Sequence, residues 1–438
     1  MKPDRLSDFS TTDISDPYRL DENGFPRDPN NENALAFLEQ AKDKPFFLYY
    51  ATWLVHAPIQ MRSKQLLEKY CKKMNVPFPI DAVGWEIEGQ KNPYYGAMVE
   101  MFDYYIGRII NNLKTTDDPR WKGHKLIENT YIIFASDNGG MEGHPGEIYT
   151  DNYPLDKGKI NAKEGGVRVP LIITGPGIKR EQESDVMVNG IDFYPTILSW
   201  TGGKHSNKQD LDGIDLSTLL KRNPDDASLL LDKTGKVRNT MIHHFPHSSF
   251  QSTIRIGDYK FIHNYNPFKS NELYRLYKNG KTRVDIEEMN DLTEKLPEKA
   301  KEMSEILSDN LKSMKASMPF LNPYSQNTIP HEKGICKVLE HGREGRTVWV
   351  NYQENGNKIV ATHLIYTTNG GQQYEEWYRN DAIVEGNIVK ATLPEGTTHY
   401  TFNLVDEHQF LVSYPHMGGM NSYKGGKYSV NALVVNVD

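Results

Sequence analysis

Two short apolar runs, T-Y-I-I-F-A ending at Ala135 and V-P-L-I-I-T ending at Thr174, each stop at a cluster of small and polar residues. Runs this short and dense read as strands buried on both faces, as in a parallel sheet. F-F-L-Y-Y-A-T-W-L, starting at Phe46, reads the same way. Segments of helical period alternate with them. Residues 34–43 put Leu35, Phe37, Leu38 and Ala41 on one face, and residues 95–114 form the strongest amphipathic helix of the chain. Another helix, in D-F-Y-P-T-I-L-S-W-T-G-G, opens at Pro195 and closes at glycine. This rhythm predicts an α/β core with a mostly parallel central sheet.

The character then changes. Residues 1–33 are polar, without period, and read as an extended lead-in to a core at 34–205. Residues 206–325 form a smaller α+β part: T-I-R-I-G-D-Y-K-F-I-H-N-Y and E-L-Y-R-L-Y predict a small antiparallel sheet, and 297–312 an amphipathic helix carrying Met303, Ile306, Leu307 and Leu311. M-P-F-L-N-P-Y-S-Q-N-T-I-P reads as a linker. From 332 to 438, alternating runs separated by Gly, Asn and Asp predict an all-β sandwich.

A formal net charge of -7 argues against a nucleic-acid partner, which would call for a basic patch. Two cysteines, Cys71 and Cys336, make neither a disulfide framework nor a CxxC metal pair. No run approaches the roughly 18 apolar residues of a membrane span, and the N-terminus shows no signal-peptide h-region.

In a parallel α/β sheet, ligands bind at the carboxyl ends of strands. Three polar clusters stand next to these runs: His56 after the Phe46 run, Asp137-Asn138 after Ala135, and K-G-K-I-N-A-K-E-G-G-V-R just before V-P-L-I-I-T. Singly, each has an ordinary structural explanation, since D-N-G-G is good turn chemistry and Lys157, Lys159 and Lys163 suit a solvated loop. Together, carboxylate and amide oxygens suit a hard cation, while His and Lys suit anion binding and proton transfer.

P-F-F-L-Y-Y-A-T-W-L-V-H-A-P-I-Q, N-T-Y-I-I-F-A-S-D-N-G-G, K-I-N-A-K-E-G-G-V-R-V-P-L-I-I-T-G-P-G and I-D-F-Y-P-T-I-L, in this order, resemble the sulfatase family of the alkaline-phosphatase superfamily over roughly residues 30 to 325. The resemblance implies an alkaline-phosphatase-like sandwich and hydrolysis of a sulfate ester, with a sulfated small molecule or glycan as partner. It implies that Asp137 and Asn138 ligate a divalent cation, usually Ca²⁺. His56 and Lys159 would contact the sulfate and its leaving oxygen. By the same resemblance, His243 and His244 fall in a region that often lines the substrate cleft and His144 falls near the metal loop, all three as substrate-binding candidates, and the family's localisation is periplasmic or secreted.

The family's Asp-Asp strand end and its C/S-x-P/A-S-R motif, the source of formylglycine, are not recognisable in this sequence. Ser15-Asp16-Pro17-Tyr18-Arg19 imitates that motif but follows no apolar strand. The expectation is a chain lacking the N-terminal strands and inactive alone, with an oligomer or a complementing N-terminal segment covering what is exposed. Two other readings stay open: a phosphodiesterase or phosphotransferase of the same superfamily, and a non-catalytic chain whose β-sandwich binds glycan or packs on its neighbour.

Overall fold

The computed structural model describes residues 9–78, 91–142, 150–206, 209–417 and 427–435. The chain divides into two units, one formed by residues 1–264 and 269–314, the other by 265–268 and 315–438.

The first unit begins with helices whose ends are written in the sequence. α1 (Pro29–Ala41) starts on Asp28, whose carboxylate accepts from the Asn30 amide, with proline at its first position. α2 (Lys64–Met74) is capped by Ser63 and ends at Asn75 in the left-handed conformation. α3 (Pro93–Thr115) is capped by Asn92. Its buried row serves two neighbours. Tyr94, Ala97 and Met98 pack with Leu66, Leu67 and Cys71 of α2. Ile109 and Leu113 pack with Ala34 and Leu38 of α1.

The lead-in is tied down rather than loose. Tyr105 donates its hydroxyl hydrogen bond to the Pro26 carbonyl, and Arg108 reaches Asn31 and Glu32. Its Ser15 lies in a turn, amide and hydroxyl both donating to Asp13 Oδ1 at 2.9 Å.

Two expectations about the sheet are corrected. The Phe46 run makes no ladder. Phe46, Leu48 and Tyr50 pack beside α1 and α3, while Phe47 and Tyr49 are 69% and 82% exposed. A strand buried on both faces needs a hydrogen-bonded neighbour on each side, and among the described residues none pairs with it. The second correction concerns direction. β1 (Ile132–Ala135) and β2 (Leu171–Thr174) pair antiparallel, Ile132 opposite Thr174 and Ala135 opposite Leu171, so the expected mostly parallel sheet is not what the described strands form. The reason lies in the connection. The Ser136 amide donates to the Pro170 carbonyl and the Gly139 amide to that of Gly166. Segment 136–170 therefore closes at the end of β1 where it began, and β2 leaves from that end.

α4 (Glu164–Val167) stands just before β2, and α5 (Phe193–Thr201) and α6 (Ser217–Arg222) follow it. Then a four-stranded antiparallel meander follows: β3 (Thr240–Phe245), β4 (Gln251–Ile256), β5 (Tyr259–Asn264) and β6 (Glu272–Arg275). A two-stranded ribbon, β7 (Tyr277–Lys278) with β8 (Thr282–Arg283), precedes α7 (Pro297–Ser313). Register sorts this sheet into two faces. Ile254, Phe261 and Leu273, all fully buried, share the face under α7, which packs on β4 and β5. The opposite face carries Met241, His243, Thr253, Arg255, Lys260, Glu272 and Tyr274. This polar face looks toward the site.

The second unit holds β9 (Lys337–Glu344), β10 (Thr347–Gln353), β11 (Ile359–Thr367), β12 (Trp377–Asp381), β13 (Ile383–Glu385), β14 (Ile388–Thr392), β15 (His399–Asp406), β16 (Leu411–Tyr414) and β17 (Leu433–Val434). They form two antiparallel sheets, β13-β14-β10-β9 and β12-β11-β15-β16, with β17 also on β15. Val348, Val350 and Val389 from one sheet and Leu364, Phe402 and Leu404 from the other make a single core.

Candidate active site

His56 and Lys159 meet. Lys159 Nζ lies 2.8 Å from His56 Nε2, across 103 residues of chain. The other ring nitrogen, Nδ1, lies 2.8 Å from the Ala57 carbonyl, which also accepts from Trp53 Nε1 at 3.0 Å. A carbonyl only accepts, so Nδ1 carries the proton and Nε2 of the neutral ring offers its lone pair to the ammonium. The turn holding the ring is local: the His56 amide donates to the Trp53 carbonyl and Trp53 packs edge-on to the imidazole at 5.3 Å.

Asp137 and Asn138 stand on the turn after β1, which is held from two sides. Ser136 Oγ donates to the Asn138 carbonyl at 2.8 Å, and the Lys159 amide donates to the Gly140 carbonyl at 2.9 Å. The D-N-G-G turn and the lysine loop thus lie back to back. Glycine is required there: a Cβ on Gly139 would stand 1.6 Å from the Gly165 carbonyl oxygen. The exposed Asp137 also lines a cleft of about 940 Å³ with Ser136, Arg168, His243, Arg255 and Lys260, a cleft that His56, Asn138 and Lys159 do not line.

Of the candidate cleft histidines, His243 lines this cleft from β3. Burial, with the Lys260 charge adding to it, holds its imidazole down to about 4, so it is neutral at physiological pH. His244, on the other face of the strand, has Nδ1 2.6 Å from Ser252 Oγ and does not line the cleft. His144 lies outside the described residues.

The donor set fits a hard cation in kind but not in number. Asp137 and Asn138 offer side-chain oxygens, where Ca²⁺ takes about six to eight, and no cluster of three or more His, Cys, Asp or Glu suited to a metal occurs among the described residues.

Sequence reasoning missed the groups beneath these loops. Glu164 is 4% exposed, with Oε1 2.9 Å from Lys260 Nζ and Oε2 within 2.8 Å of Arg168. Burial alone would raise its carboxyl; Lys260 and Arg168 outweigh it and hold the group at about 2. Glu164 and Lys260 stand inside motifs already noted, but 96 residues separate them.

The sequence has relatives among known proteins. Residues 10–203 match the sulfatase family model, and residues 159–317 match the model for the C-terminal region of N-sulphoglucosamine sulphohydrolase. A sulfatase of Formosa agariphila is 34% identical over 211 residues, 47% of this chain and 33% of that protein. Human N-acetylglucosamine-6-sulfatase is 31% identical over 199 residues, 43% of this chain and 34% of that protein. A solved sulfatase-like protein, yidJ of Bacteroides fragilis, superposes with a TM-score of 0.45 at 20% identity, covering 66% of this chain and 58% of its own. Sulfatase models thus match residues 10–317 between them, and the region matched to the curated relatives spans about a third of their length.

Proposed function

We propose that this chain carries the sulfate-ester site of a carbohydrate sulfatase with an alkaline-phosphatase-like core, exported to the periplasm or the medium, to which the all-β unit is appended. The observation that carries this reading is the His56–Lys159 contact beside the Asp137-Asn138 turn. Lys159 Nζ brings a positive charge and a mobile proton to where a leaving alcohol oxygen must be protonated, and His56 Nε2 can take that proton and return it. Charge developing on the sulfuryl oxygens is met by the same ammonium, the electrostatic contribution that dominates such transfers. Asp137 and Asn138 would hold a divalent cation, which when bound polarises the ester oxygens. Two protein oxygens do not complete its shell. The names of the amino-sugar 6-sulfatase relatives support a 6-sulfated N-acetylhexosamine as substrate.

This sequence contains no C/S-x-P/A-S-R motif to supply the nucleophile, so the chain alone is expected to bind a sulfated sugar without turning it over. The test is ring-proton NMR of His56 during titration with N-acetylglucosamine-6-sulfate and, separately, with the 6-phosphate. A sulfate-dependent shift of His56, lost in Lys159→Met, is expected. Tighter binding of the phosphate would favour the phosphodiesterase reading, and no perturbation by either ligand would sink both. Turnover abolished by Ser15→Ala would overturn the expectation of inactivity.

A further inference from the structure

We propose that Lys260 is a positioning residue for the candidate site, acting through Glu164 and Glu288 to hold the lysine loop and the D-N-G-G turn in register. That these loops form a sulfate site rests on the reading above; the mechanical coupling does not.

Lys260 is 1% exposed, and its ammonium stands between two carboxylates. One belongs to Glu164, with Oε1 at 2.9 Å, the other to Glu288, with Oε1 also at 2.9 Å. The Glu288 contact is an ion pair by distance, without hydrogen-bond alignment at that oxygen. The other Glu288 oxygen, Oε2, accepts from the Glu164 backbone amide. Glu164 is thereby gripped twice, at its carboxylate by Lys260 and at its amide by Glu288. Its neighbour Lys163 is gripped as well: Nζ lies 2.6 Å from Tyr274 Oη and 3.0 Å from Glu272 Oε2. Thus residues 163–164 are fastened to β5, β6 and the turn at 288.

Two residues further on, that anchorage reaches the site. The Gly166 carbonyl accepts from the Gly139 amide, and the Gly165 amide donates to the Asp156 carbonyl. A Cβ on Gly165 would stand 2.0 Å from the Lys157 carbonyl oxygen, so no side chain cushions the contact. Glu164 therefore cannot move without pushing the backbone at 139 and 157, two residues from Asp137 and Lys159. Packed backbone of this kind transmits displacement rather than absorbing it. A buried ion cluster is weak evidence for stability by itself; here its geometry specifies the placement of two loops.

The experiment is amide hydrogen exchange on the intact chain, comparing wild type with Lys260→Met and Glu288→Gln. Gly139 and Lys159 amides are expected to exchange roughly tenfold or more faster in Lys260→Met, with α3 amides within about twofold of wild type. Glu288→Gln, which retains an acceptor for the Glu164 amide, is expected to give a smaller effect at the same amides, and it carries the test if Lys260→Met does not fold. Unchanged exchange at Gly139 and Lys159 in the folded variants would overturn the proposal. So would uniform acceleration across the unit, the mark of a role in stability only. Tb³⁺ binding to wild type separates the two readings. If Tb³⁺ does not bind, the metal-site reading fails while the exchange result still decides the coupling; if it binds, Lys260→Met is expected to weaken it about tenfold.

Discussion

Replacing Glu164 by Gln keeps the shape of the side chain and removes the charge that Lys260 and Arg168 share. In the folded protein that carboxyl sits at about 2 against an ordinary 4.5. At about 1.4 kcal/mol per pH unit, the difference is worth about 3 kcal/mol of stability. Because the folded value lies below the unfolded one, this stabilisation is complete above pH 4.5 and is lost as the pH falls through the folded value near 2. Urea unfolding of wild type and Glu164→Gln, followed by circular dichroism from pH 7 down to pH 3, measures it. The gap between the two proteins is expected to be about 3 kcal/mol at neutral pH and to narrow steadily below pH 4.5. A gap that stays constant down to pH 3 would refute the reasoning, because it would mean that the charge of Glu164 adds nothing to the fold. A neutral-pH gap below about 1 kcal/mol, the range of an exposed ion pair, would refute it as well.

Asp192, 0% exposed, takes two bonds from Arg238 at 2.6 and 2.7 Å and accepts the amides of Asn189 and Ile214. Asp192→Ala leaves that guanidinium buried without its partner and is expected to cost about 3–5 kcal/mol in thermal or urea unfolding; a loss below about 1 kcal/mol would contradict this. Gly139→Ala forces a methyl against the Gly165 carbonyl, and the two loops must part. A cost of about 1–3 kcal/mol is expected, with faster exchange of the Lys159 amide; unaltered exchange would contradict the back-to-back arrangement.

α1 and α3 were legible because apolar periodicity is local, and the spacing of α3 survives as two buried patches. α2 went unread, although Ser63 caps it, as Asp28 and Asn92 cap α1 and α3, within three residues of the amides they serve. The strands were legible as short segments, not as a sheet. T-Y-I-I-F-A and V-P-L-I-I-T carry no record of direction, and the antiparallel pairing of β1 with β2 follows from a connection closed by glycine contacts. F-F-L-Y-Y has the composition of a buried strand, yet alternate residues face outward because the ladder that would bury them is absent among the described residues.

Sequence by itself determined which residue types stand ready: Asp137, Asn138, His56 and Lys159, each in a motif whose order and spacing point to one family. Tertiary structure decided which of them touch. It set Lys159 on His56, turned His243 into the cleft and His244 away from it, and put Lys260 between Glu164 and Glu288. The division has a physical cause. Caps, turns and periodicity are fixed by neighbours a few residues apart, whereas an ion pair across 96 residues exists only once the sheet and the loop have packed.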